Sequence, residues 1–98
     1  MIELSSRQRK ALERLANSLE PNVIVGQNGI TEGLEAKVAM ELDAHELIKI
    51  KFNEFKDEKR ELAEAVSKNS GASLVRIIGN VAVLYKPQPD TEKRKIKI

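Results

Sequence analysis

The segment Gly26-Gln27-Asn28-Gly29 is the part of this chain with the clearest chemical potential. It follows the apolar run Val23–Val25 and precedes a helix-like segment that begins near Thr31. Glycines permit a tight turn and the close approach of another backbone. The N–H groups left without partners at a helix N-terminus attract a phosphate. The spacing therefore predicts a strand, a glycine-bracketed loop and a helix start that together could seat a phosphate, with Thr31 at the helix end of the seat.

Cations in the flanking helices could assist this loop. Arg7, Lys10 and Arg14 follow i, i+3, i+7 spacing and share one line of a helix without an acid between them, and Lys37 lies in the next helix. A GxxG loop in such surroundings clamps nucleotide backbones in one class of RNA-binding module. Any tight turn can satisfy the pattern, however, and a solvated helix face explains the cations equally well. Both interpretations stay open at this point.

The chain offers little for catalysis. An enzyme needs a nucleophile with a base, paired carboxylates in a pocket, or metal ligands. There is one histidine, His45, and there is no cysteine. A solitary histidine beside Glu46 is more often a structural polar residue than a base, and the acids between Glu54 and Glu64 suit a solvated helix start. We therefore expect a protein that is not an enzyme and that uses no cofactor, metal or small-molecule substrate.

Composition places the chain among small soluble domains. Its 98 residues are 41% hydrophobic and 33% charged, which suits one domain with a charged surface. No apolar run reaches the roughly 18 residues of a membrane span, and no secretory signal is visible. Because cysteine is absent, a reducing cytoplasm is the simplest setting, and we expect a monomer. The net charge of +2 is unevenly spread: +1 over residues 1–30, −3 over 31–70 and +4 over 71–98. Such a distribution can give a nearly neutral protein one cationic face.

Three helices are predicted from capping residues and apolar spacing. Ser5 and Gln8 form a capping box for a first helix that runs to about Ser18, with Leu4, Leu12, Leu15, Ala16 and Leu19 on its apolar side. The other two are a helix capped by Thr31, with an apolar residue every four positions, and a helix capped by Asp57 that runs through Asn69 and stops at Gly71.

The remaining apolar runs predict strands. Ile48–Phe52 alternates, so that Lys49 and Lys51 point away from the core. Leu74–Ile78 and Val81–Tyr85 flank Gly79-Asn80 as a hairpin. With Val23–Val25 these runs give an α-β-α-β-α-β-β order, that is, a single α/β domain over residues 1–87 with a four-stranded mixed sheet covered by helices. Residues 88–98 are predicted to form a basic, flexible tail.

Three segments in this order resemble the CRM domain (chloroplast RNA splicing and ribosome maturation), in its stand-alone YhbY-like form. They are Pro21–Thr31, His45–Lys51 and Ile78–Pro87. The resemblance covers nearly the whole chain and is more specific than an isolated GxxG. The neutral Gln27 and Asn28 depart from members that carry a lysine in this loop, and Asn80 stands where a cation often follows the hairpin glycine.

The resemblance implies RNA binding through a KH-like GxxG loop and the adjoining basic surface. It implies association with large-subunit ribosomal RNA or its precursor particles, and a role in ribosome maturation. Two alternatives remain: an adaptor that binds a protein through Met40 and Phe55, and a domain like the C-terminal domain of translation initiation factor three. The RNA contacts that the resemblance implies are the loop residues Gly26, Gln27, Asn28 and Gly29. The residues themselves add further candidate contacts, namely Thr31 and the cations Arg7, Lys10, Arg14 and Lys37.

Overall fold

The helices and strands follow one another in the predicted order. A computed structural model describes residues 3–98, and within these residues it contains three α-helices and four strands. No helix in this part of the chain is long and apolar enough to cross a membrane. The elements are α1 (Ser6–Ala16), β1 (Val23–Val25), α2 (Glu32–His45), β2 (Leu47–Phe52), α3 (Lys59–Ser70), β3 (Ser73–Ile78) and β4 (Val81–Tyr85), with short 3-10 turns at Lys56–Glu58 and Thr91–Lys93.

The strands form one mixed sheet in the order β1-β2-β4-β3. β1 runs parallel to β2, and the other two pairs are antiparallel. The α2 and α3 helices pack on one face, over a core that includes Val38, Ile48 and Phe52. The α1 helix packs on the other face, where Leu12 and Ala16 contact side chains of β2, β3 and β4. The predicted α/β fold is thus confirmed, with helices in two layers around the sheet.

Capping residues account for the start of α1 and the end of α3. The Ser5 hydroxyl accepts a hydrogen bond from the Gln8 N–H (3.1 Å), and the Gln8 side chain accepts one from the Ser5 N–H (3.0 Å), so the predicted capping box is confirmed. Gly71 ends α3 in the left-handed conformation, also as predicted. The first helix ends at Ala16 rather than near Ser18, and Leu15 and Leu19 are exposed because Leu12 and Ala16 are the residues of α1 that are buried against the sheet.

The predicted Asp57 cap is wrong. Residues 56–58 form a 3-10 turn, and α3 begins at Lys59 with Glu58 at its N-cap and no side-chain cap hydrogen bond. The turn follows Phe55, whose φ of 58° is in the left-handed region. That conformation reverses the chain between β2 and α3, and it leaves Asp57 inside the turn instead of at the helix boundary.

Residues 88–98 contact the body of the domain through Glu46. This carboxylate is fully buried and accepts hydrogen bonds from the N–H groups of Gln88 (2.7 Å), Lys95 (2.6 Å) and Ile96 (3.0 Å). Burial raises the pKa of the neighbouring Tyr85 hydroxyl; the negative charge of Glu46 raises it further, and Arg94 lowers it. The flexibility of this segment stays a prediction, but the structure gives it specific anchoring contacts.

Candidate nucleic-acid interface

The GxxG segment forms a closed turn at the end of β1. The Gly29 N–H donates to the Gly26 carbonyl at 3.0 Å, and Gln27 and Asn28 are exposed at the tip. Gly29 has a φ of +68°, which favours glycine at this position. Within residues 3–98 the N–H groups of Gln27 and Asn28 donate to no protein acceptor. The turn therefore presents two backbone donors to solvent, which an anion could accept.

The start of α2 combines free N–H donors with acidic side chains. The Thr31 hydroxyl accepts a hydrogen bond from the Leu34 N–H at 3.1 Å, so this predicted contact residue serves as the helix cap. The N–H groups of Glu32 and Gly33 find no acceptor in the described chain. Yet the carboxylates of Glu32 and Glu35 occupy the first turn, where they already complement the helix dipole and repel a phosphate. The exposed turn is consequently the better anion site.

Phe55 is a neighbour of the loop that sequence reasoning did not include in the site. An added Cβ on Gly29 would lie 3.4 Å from the Phe55 Cε2 atom, which places the ring directly against this glycine. The side chain is 42% exposed. The left-handed φ of Phe55 directs the ring here, and no short-range sequence pattern signals that conformation in a phenylalanine.

Backbone hydrogen bonds connect the loop to the neighbouring chain reversals. The Asn53 N–H donates to the Val25 carbonyl at 3.0 Å, and the Phe52 N–H donates to the Asn80 carbonyl at 2.7 Å. The Lys59 ammonium donates to the Asn80 side-chain oxygen at 3.2 Å. The GxxG turn, the segment after β2 and the Gly79-Asn80 turn thus lie together, and we name this region the loop end of the sheet.

The predicted cations divide between two layers of the molecule. Arg7, Lys10 and Arg14, here named the α1 ridge, are all exposed on α1, whereas Lys37 is exposed on α2, across the sheet. The α1 helix carries four cations and one acid, a net +3, and α2 carries one cation and four acids, a net −3 with neutral His45. The α1 layer is therefore the cationic side, and Lys37 lies among acids.

Other polar clusters have ordinary surface geometry. The Nε2 atom of the exposed His45 side chain lies 3.4 Å from the Oε2 atom of Glu41, one helical turn earlier on α2. Among residues 3–98 no group of three or more acids and histidines is arranged to hold a metal ion.

The two residues predicted to anchor a protein partner lie apart. Met40 is 72% exposed beside Pro87 and Pro89, whereas Phe55 packs against the loop. The two residues proposed for an adaptor surface therefore do not share one groove.

Comparisons with known proteins place the chain in a family. Residues 4–86 match the model of the CRS1/YhbY (CRM) domain. A Haemophilus influenzae protein named "RNA-binding protein" is 37% identical, with 100% of this chain and 97% of that protein covered. A Bacillus subtilis protein named "Probable RNA-binding protein YqeI" is 34% identical over 92% of this chain and 95% of its own length.

A solved structure agrees with this placement. The solution structure of a Staphylococcus aureus protein superposes with a TM-score of 0.78 and 31% identity, covering 97% of this chain and 100% of that one. The family match spans most of the chain and includes the GxxG turn, β2 and the β3–β4 hairpin. This chain belongs to the CRS1/YhbY (CRM) domain family, as its sequence segments predicted.

Proposed function

We propose that this protein binds RNA, and that the GxxG turn holds the RNA backbone while the α1 layer supplies positive charge. The observation that carries the proposal is the pair of unpartnered N–H groups at Gln27 and Asn28, exposed at the tip of a closed turn. Backbone donors of this kind bind phosphate oxygens without reading sequence. The names of the relatives from Haemophilus influenzae and Bacillus subtilis support RNA as the ligand class.

The neutral loop side chains define how the clamp would work. Since neither Gln27 nor Asn28 is charged, the turn contributes shape and amides, and the attraction comes from cations elsewhere. Salt-dependent binding with little base preference is the expected behaviour of this loop. An enzymatic role has no support in the site, because the exposed polar groups around the turn include no nucleophile paired with a base.

A pair of loop variants tests the clamp. Gln27→Asp with Asn28→Asp places two negative charges beside the bound phosphate, and affinity for a labelled 12-nucleotide oligouridine should fall about tenfold or more in filter binding. Gln27→Ala with Asn28→Ala keeps both N–H groups and should stay within about twofold of the wild type. Equal affinity for the aspartate variant would remove the loop from the interface.

We further propose that the bound RNA is large-subunit ribosomal RNA or its precursor, and that the protein assists ribosome maturation in the cytoplasm. The membership in the CRM family supports this proposal. Crosslinking in cells, followed by sequencing of the bound RNA, should recover large-subunit sequences in excess over their abundance. Enrichment of messenger RNA instead would contradict the proposed partner.

A further inference from the structure

One row of residues crosses all four strands on the face of the sheet that α1 covers only in part. Ile24 pairs with Lys51, Lys51 with Val81, and Val81 with Ile78. Residues paired across neighbouring strands point to the same side of a sheet. Ile24 is 54% exposed and Ile78 is 48% exposed, Lys51 is also exposed, and Val81 is half-buried. We name these four residues the open row.

The position of α1 explains why this row is uncovered. The side chains that contact Leu12 and Ala16 are those of Leu47, Val75, Val83 and Tyr85. They lie further from the loop end of the sheet, since Tyr85 and Leu47 pair at the opposite end of their strands. The two exposed isoleucines and the half-buried Val81 place apolar surface in one row, and exposed apolar patches commonly mark binding sites.

The charges on this face favour an anionic partner. The four strands contain three charged residues, Lys49, Lys51 and Arg76, and all three are cations. All three lie on the α1 face, since Lys49 and Arg76 both pair with Val83 in the adjacent row. The Lys49 ammonium group donates to the Leu19 carbonyl at 3.0 Å, and the Arg76 guanidinium group forms an ion pair with the Glu13 carboxylate at 3.0 Å. The Lys51 side chain makes no hydrogen bond or ion pair within the described residues, so its ammonium group is available to a ligand.

The open row is continuous with the candidate interface. Ile24 lies two residues before Gly26, and Ile78 directly precedes Gly79, so the row borders the loop end of the sheet from edge to edge. A strand of RNA held at the GxxG turn could therefore continue across the row. Three strand spacings of about 4.8 Å give the row a length of about 14 Å. A four-stranded sheet of this width holds two or three bases in other RNA-binding modules.

We propose that the open row is a base-binding face for single-stranded RNA, a proposal that rests on the RNA binding argued above. The faces of unpaired bases lie on Ile24, Val81 and Ile78, and Lys51 contacts a phosphate between them. Duplex RNA conceals its base faces, so the row distinguishes unpaired from paired RNA. The aliphatic surface accepts any base face, which gives strand-state preference without sequence preference.

Paired threonine substitutions test this proposal. Ile24→Thr with Ile78→Thr keeps β-branched residues on the strands while removing apolar contact surface. Affinity for oligouridine should fall about five- to tenfold, while the slope of log affinity against log salt concentration stays unchanged. Affinity for a 12-base-pair RNA duplex should stay the same. Met40→Thr, an exposed apolar substitution on α2, is the matched control and should change neither. Lys51→Gln should lower the slope of log affinity against log salt by about 0.7.

The outcomes separate this proposal from the function on which it rests. If the wild type binds oligouridine and the threonine variant binds it equally well, the open row is overturned and the loop clamp stands. If the wild type binds neither RNA, both proposals fail. An equal loss for single-stranded and duplex RNA would also overturn the base-binding role. Retained RNA affinity with loss of a copurifying protein would instead assign the row to protein docking and overturn the proposal.

NMR spectra of the isoleucine methyl groups provide an independent test on the protein without substitutions. Addition of oligouridine should shift the methyl signals of Ile24 and Ile78, while those of the buried Ile48 and Ile50 serve as internal references. Shifts confined to the loop end, with both exposed isoleucines unchanged, would contradict base binding at the row.

Discussion

The two glycines of the loop, Gly26 and Gly29, have different structural roles. Gly29 has a φ of +68° and lies against the Phe55 ring, whereas an added Cβ on Gly26 meets nothing within 4 Å. The GxxG pattern treats these positions as equivalent. At Gly29 a side chain would be strained by the positive φ, although its Cβ would be at ordinary van der Waals distance from the ring, and at Gly26 there is no such strain.

We expect Gly29→Ala to lower the free energy of unfolding by about 1–2 kcal/mol, because alanine is strained in the left-handed region. Gly26→Ala should leave stability unchanged or raise it by about 0.5 kcal/mol, since it restricts only the unfolded chain. Urea denaturation of the two variants provides the comparison. Equal destabilisation would show that the φ of Gly29 does not control the turn.

At the scale of elements, Glu46 connects α2, β2 and the C-terminal segment. It is the C-cap of α2 with a φ of 65°, its carbonyl accepts from the Lys86 N–H at 2.8 Å, and its carboxylate accepts from three N–H groups of residues 88–96. A buried charge is tolerated here because charge-assisted hydrogen bonds replace its hydration. Sequence reasoning regarded this residue only as a neighbour of His45.

Glu46→Gln should destabilise the protein by about 2–3 kcal/mol. The amide keeps only one acceptor oxygen, so it cannot accept all three hydrogen bonds, and its NH2 group would face a backbone N–H. Hydrogen exchange should accelerate at the amides of Gln88, Lys95 and Ile96. Glu41→Gln, which removes only the exposed contact to His45, is the control and should cost less than about 0.5 kcal/mol. Fast exchange of these amides in the wild type would show instead that the segment is flexible, as the sequence predicts.

For the whole molecule, the sheet separates a cationic layer from an acidic one. The α1 helix has a net +3 and α2 a net −3, which a total charge of +2 conceals. A polyanion would therefore approach from the α1 side, because long-range attraction depends on where the charges lie.

Neutralising the α1 ridge with Arg7→Gln, Lys10→Gln and Arg14→Gln should reduce the salt slope of oligouridine binding by up to about 2, since fewer counterions are released. Neutralising three exposed cations on or beside α3, Arg60, Lys68 and Lys86, is the matched control and should change the slope much less. Similar effects of both triple variants would indicate diffuse attraction without a preferred face.

The element order, the capping residues Ser5 and Thr31, and the family are all predictable from the amino-acid sequence. These features depend on contacts between residues close in the chain, where periodicity and turn chemistry are directly visible. Three features become visible only in the folded domain: Phe55 contacts Gly29, Lys37 lies across the sheet from the α1 ridge, and the open row forms from residues of all four strands. Strand register and helix placement create these neighbours, and both are set by packing over the whole domain.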